Sequence, residues 1–174
     1  MPRSTTDGKH APMRAARRAF GSILLVLAVM ILPTAIPGGR VTASDGGDFP
    51  RSTLEIRSAQ GRQLFSIRIA DTPERQELGL MYETRLPADE GMLFPQDEPH
   101  IVSMWMKNTY IPLDMLFIDN HGRIVCLLVN TTPQSLKILS CPKPVKAVLE
   151  IGGGEATERG IKVGNRVLHG LFAG

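Results

Sequence analysis

The chain has 174 residues, with 20 basic and 17 acidic side chains, a formal charge of +3 and two Cys. The first 43 residues hold six of those basic groups and one of the acidic ones, which leaves 14 against 16 for the rest. The basic balance belongs to the leader, so nucleic acid is not an expected partner. The remaining length suits one domain with a modest core.

Residues 1–43 read as a secretory signal peptide. Arg14, Arg17 and Arg18 form a basic start, Phe20 to Leu32 an apolar run, and Val41-Thr42-Ala43 a small-residue cleavage site. The apolar run falls short of the ~20 residues of a comfortable membrane span. The alternative is an uncleaved anchor over residues 20–32, the one membrane contact expected. This layout predicts export, to the periplasm; a monomer is expected. Residues 44–51 form a flexible lead-in, and 52–174 a single β-rich domain.

"STLEIRS" and "RQLFSIRIA" alternate apolar and polar around Ala59-Gln60-Gly61, which predicts a hairpin with one wet face. "DTPERQELGLMY" predicts a short helix. Thr72 is its N-cap, Pro73 fits the first turn, and Leu78, Met81 and Tyr82 form its apolar stripe with Arg75 at the edge. "GMLFP" predicts a brief strand and "PQDEPH" an acidic loop.

"IVSMWMK" is expected as a buried strand. "DMLFI" and "RIVCLLV" are expected as a covered hairpin turning at Asp119-Asn120-His121-Gly122. "TTPQSLKILSCPKP" is irregular, "VKAVLEI" alternates again, "GGGEATERG" holds a one- to two-turn helix, and "IKVGNRVL" ends in a strand. The sum is a mostly β (α+β) fold, a small barrel-like or strongly curved mixed sheet with two short helices.

The polar residues of "SMWMKNTYIPLDMLFID" have two readings. If 101–107 pairs with 114–119, Lys107 and Asp114 face each other across a hairpin mouth closed by Asn108. They then either pin a loop or, with Trp105, rim a pocket. Arg75 and Glu150 either join that clamp or, for Arg75 with Lys107, hold a ligand anion.

Cys126 and Cys141 lie fifteen apart and are candidates for one structural disulfide, with two free thiols as the alternative. No cofactor is expected. Met104 and Met106 offer thioethers for Cu(I), yet period-two Met also marks a buried strand, so no metal site is expected. His100, His121 and His169 show no ligand spacing. Gly152-Gly153-Gly154 reads as a turn, because Glu155 beside it would repel phosphate.

"MWMKNTYIPLDMLFID", with "ERQELGLM", "GMLF", "VLEIGGG" and "GIKVGNRV", resembles the domain of unknown function 192 family over residues 53–168. The resemblance implies a compact barrel-like β fold and no established reaction. Glu83 departs from it, standing where a basic residue is usual. The combined expectation is an envelope binding or accessory module for a small anionic ligand or an extended peptide. Its site residues are Arg75, Trp105, Lys107, Asn108, Asp114 and Glu150. The alternatives are a hydrolase-like enzyme with Asp114 and Glu150 as acid and base, and a structural interaction domain.

Overall fold

The structure is a computed structural model that describes residues 49–173. The expected signal peptide or anchor, and most of the expected lead-in, lie outside the described residues. The lead-in ends earlier than expected: Phe49 is buried and Arg51 already opens a strand.

Among the described residues nine strands form, in chain order, β1 (Arg51–Ser58), β2 (Gly61–Ile69), β3 (Glu90–His100), β4 (Ser103–Met104), β5 (Leu113–Ile118), β6 (Ile124–Leu128), β7 (Leu139–Ser140), β8 (Val145–Gly152) and β9 (Arg166–Leu168). Helix α1 (Pro73–Leu78) follows β2, and α2 (Glu155–Glu158) follows β8. Seven strands make one sheet in the order β6-β5-β8-β3-β2-β1-β9, and β4 pairs with β7 separately. All pairings are antiparallel except β2 with β3, which α1 connects.

The sheet curls until its ends meet. Arg123, just before β6, bridges Arg166 of β9, and the Val167 N–H donates to the Gly122 carbonyl at 2.7 Å. Gly122 is required at this seam. Its φ is +73°, and a Cβ there would stand 2.5 Å from the Val167 carbonyl. The Asp119 side chain accepts from the His121 and Arg123 N–H groups, each at 2.9 Å, and so shapes the expected turn.

Alternate strand residues feed two apolar layers. The inner layer takes Ile56, Phe65, Leu93, Leu116, Leu149 and Val167, one from nearly every strand, and Ala156 of α2 closes one end. The outer layer takes Met92, Phe94, Met115, Phe117 and Val148, and is roofed by Leu80, Val102, Met106 and Cys141. The roof is therefore α1 with its following turn, residues 101–111 and the 131–144 excursion.

The hairpins β1–β2 and β5–β6 match the sequence pattern. β5 is buried at all six positions, while β6 is a partly covered edge. Thr72 caps α1, its hydroxyl accepting from the Arg75 N–H at 3.3 Å.

Three expectations fail. The stripe of Leu78, Met81 and Tyr82 does not exist, because α1 stops at Leu78 and Gly79 turns the chain so that Leu80 enters the core. "PQDEPH" continues β3, with an irregularity between Pro95 and His100 that absorbs the prolines. Residues 101–107 do not pair with β5. Only Ser103 and Met104 are strand, and they pair with β7, leaving Trp105 about half exposed.

Glu83 accepts from Arg68 at 2.7 Å, and the Arg68 side chain is buried. A basic residue at position 83 would leave that guanidinium facing a like charge, which accounts physically for the departure.

Cys126 and Cys141 form a disulfide that ties β6 to the roof. Replacing both with alanine should lower stability by about 3 kcal/mol, the chain-entropy value for a loop of this length. Urea unfolding with and without reductant measures it. The reductant should lower the wild-type midpoint to that of the double variant and leave the variant unmoved.

Candidate functional site

Glu150 is the side chain that most needs explaining. It sits in β8 between Met92 of β3 and Met115 of β5, pointing into the outer apolar layer, and is 4% exposed. No hydrogen bond or ion pair reaches it from any described residue. Burial pushes its acid up to about 8, so it is protonated at neutral pH.

Glu150 lies at the floor of a cleft. The narrow inner part, about 30 Å³, is lined by Glu150, Thr109, Met81 and Lys107. It runs past Gln76, Phe94, Met104 and Trp105 into a wider mouth of about 250 Å³ bordered by Gln96 and Ser103. The two parts share those four residues as a common wall. Gly79, with φ +47° and Phe94 directly beneath it, lets the chain after α1 form one wall. The segment 104–109 forms the other.

Lys107 is exposed at the rim, its ammonium 5.8 Å from the centre of the Trp105 ring. Asn108 ties the two walls together. Its carbonyl accepts from the Tyr82 N–H at 2.8 Å and its amide donates to the Tyr82 hydroxyl at 3.1 Å. Both residues have positive φ, 55° and 66°. Asn108 thus bridges to α1's turn and does not close its own loop as expected.

Asp114 is not at the cleft. Its register partner on β8 is Ile151, and its side chain points to the inner face, opposite Glu150. There it is fully buried and accepts three backbone N–H groups, from Asn130 at 2.8 Å, Gly154 at 2.9 Å and Ala156 at 2.8 Å. It fixes the start of α2 and the strand exit after β6, as a capping side chain does. The expected Lys107–Asp114 pairing is therefore overturned, and so is Asp114 with Glu150 as an acid–base pair, since Asp114 shares the face of Ile151, and Glu150 and Ile151, successive in β8, face opposite sides.

Arg75 also stands apart. It pairs with Asp71 at 2.6 Å on the far side of α1 and lines neither part of the cleft. Of the six expected site residues, Trp105, Lys107 and Glu150 converge, Asn108 braces the walls, and Arg75 and Asp114 belong elsewhere. Gln76 and Thr109 were missed. In the sequence Gln76 stands between Arg75 and Glu77 and Thr109 beside Asn108, so nothing local set either apart. Among the described residues no group of His, Cys, Asp or Glu could hold a metal ion. Met106 is buried and receives the Thr131 hydroxyl at 3.1 Å, as a core thioether does.

The profile of the domain of unknown function 192 family, described as "Uncharacterized ACR", matches residues 55–169. The chain belongs to that family. Two solved structures are similar. A Sinorhizobium meliloti 1021 protein, provisionally described as a transcription regulator, is 36% identical with a TM-score of 0.68, over 70% of this chain and 95% of its own. A Novosphingobium aromaticivorans DSM 12444 protein of unknown function is also 36% identical, with a TM-score of 0.67, over 68% of this chain and 85% of its own. No curated protein matches the chain. Family membership agrees with the motifs around Trp105, and it carries no reaction with it.

Proposed function

We propose that the protein is a binding module for a small anionic ligand with an apolar part, exported as the leader suggests. The observation that carries this reading is the buried, unpartnered Glu150 acid at the floor of a cleft with a lysine at its rim. A strongly perturbed acid in a cleft is a functional-site candidate with a physical rationale. A protonated Glu150 does not repel an anion and donates a hydrogen bond to it. Lys107 supplies the charge, and Trp105, Phe94 and Met104 supply the apolar wall.

A mouth of about 250 Å³ suits a ligand of a few heavy atoms better than an extended peptide. The regulator description of the Sinorhizobium relative draws no support here. Helices of six and four residues are too short to read a DNA groove.

The test follows fluorescence of Trp105, the chain's only Trp, while short-chain and aromatic carboxylates are titrated in. Saturable quenching is expected at pH 6–7. Lys107→Ala should weaken it roughly tenfold, about the strength of one charge-assisted hydrogen bond. Affinity should fall as pH passes 8, where Glu150 ionises and turns repulsive. If no carboxylate perturbs Trp105 at any pH, the cleft is structural and the interaction-domain reading stands in its place.

A further inference from the structure

The ribbon β4–β7 has an outer face that the cleft touches only at Ser103 and Trp105. Ser103 pairs with Ser140 and Met104 with Leu139, which sets Trp105 opposite Ile138 at the next step of the register. Val102, Met104, Met106, Leu139 and Cys141 turn inward. The alternate residues turn outward, and Ile101, Trp105 and Ile138 are 57%, 45% and 56% exposed. Leu136, on the same excursion, is 72% exposed. A cluster of four large apolar side chains on one projecting ribbon is more than the single exposed apolar residues of an ordinary surface.

The charge around this face is one-sided. Residues 101–113 and 129–146 contain Lys107, Lys137, Lys143 and Lys146 and no Asp or Glu. The first three lysines are exposed. These four are all but one of the lysines in residues 49–173. The exposed acids nearest in the chain, Asp97 and Glu98, lie at the end of β3 that leads into the ribbon, while Asp114 and Glu150, which flank these stretches, are buried.

We infer that the outer face of the β4–β7 ribbon docks on an anionic lipid bilayer surface. Trp and branched aliphatic side chains enter the headgroup boundary while lysines beside them meet lipid phosphates, the pattern by which proteins lie on a membrane without crossing it. An acidic protein surface would meet the lysines equally well. It would not account for four apolar tips that protrude, since a flat polar partner leaves them without a place to insert. The inference adds a membrane contact within the folded domain, where the sequence suggested one only at residues 20–32. It shares Trp105 with the cleft and otherwise rests on Ile101, Leu136, Ile138, Lys137 and Lys143, none of which lines the cleft.

Trp105 is itself the reporter. The full chain is mixed with phosphatidylglycerol–phosphatidylcholine vesicles whose acyl chains carry bromine, and with pure phosphatidylcholine vesicles as control. With phosphatidylglycerol, Trp105 emission should shift to the blue and be quenched by the brominated chains. With phosphatidylcholine alone it should be unchanged. Lys137→Ala with Lys143→Ala should raise the lipid concentration for half-quenching roughly thirtyfold, from about fivefold per lysine near an anionic surface.

Both lysines are exposed, so an unaltered melting curve is expected for the variant. The inference is overturned if the chain co-sediments with vesicles while Trp105 stays unquenched, because residues outside the ribbon then hold the membrane. It is equally overturned by a blue shift that needs no lipid and grows with protein concentration, which would place a second copy on this face.

Discussion

Asp114→Ala should cost the domain roughly 3–5 kcal/mol, the largest loss expected from any single polar substitution here. The carboxyl group accepts from three backbone N–H groups, those of Asn130, Gly154 and Ala156, in a fully buried position. Each orphaned buried donor costs about 1–3 kcal/mol, and only part of that is recovered if water reaches the site. Asp114→Asn keeps one acceptor oxygen and should lose about half as much. Urea unfolding of the two variants against wild type measures both. A loss below about 1 kcal/mol for Asp114→Ala would show that α2 and the β6 exit hold without the carboxyl.

Glu150→Gln should do the opposite and stabilise the domain, by an amount that depends on pH. The folded acid holds its proton up to about pH 8, while an unfolded glutamate loses it near 4.5. Below pH 4.5 both states are protonated and Glu150 contributes no pH-dependent penalty. Between those values only the unfolded chain releases the proton, so wild-type stability falls as pH rises, by up to about 1.4 kcal/mol per unit. Above pH 8 both are ionised and the full penalty is present. Glutamine cannot ionise. The variant should match wild type at pH 4 and exceed it by roughly 3 kcal/mol at pH 7. Thermal melts across that range test it, and a difference flat with pH would show that Glu150 is ionised in the folded state. Such a gain would also explain why the acid is interesting: a residue kept at the expense of stability is better placed for binding than for folding.

Much of the fold was legible from period and punctuation. β1, β2, β5 and β8 follow their alternation or continuous apolar runs, and Thr72-Pro73 marks the start of α1. What escaped depended on partners distant in the chain. β3 runs on through Pro95 to His100 because β8 supplies its ladder as far as Val145, which no local pattern announces. "IVSMWMK" looked like a buried strand because its inward residues are apolar, but two of its outward residues, Ile101 and Trp105, are apolar too. Sequence alone does not distinguish an apolar face that is covered from one that is bare. Glu150 looked like the wet side of an alternating strand. It is dry because Leu80 and the 101–109 segment lie over it, and that is a tertiary fact. Asp114 looked like half of a charge pair because the segment beside it was assumed to be its strand partner. β5 pairs with β8 and β6 instead, which sends the carboxyl to the inner face.

The position of β8 bears on how the chain is made. β8 joins β5 and β6 on one side of the sheet to β3, β2, β1 and β9 on the other, yet it is the eighth of the nine described strands to be synthesised, and its neighbours β3 and β5 precede it by dozens of residues. While the ribosome is still adding residues 119–144, both neighbours present an apolar, hydrogen-bond-hungry edge to the same empty slot. The nascent protein therefore passes through a stage at which two hairpin-sized fragments await a common partner. At that stage a holding chaperone, or a second nascent chain offering a β8-like segment, competes for the vacancy.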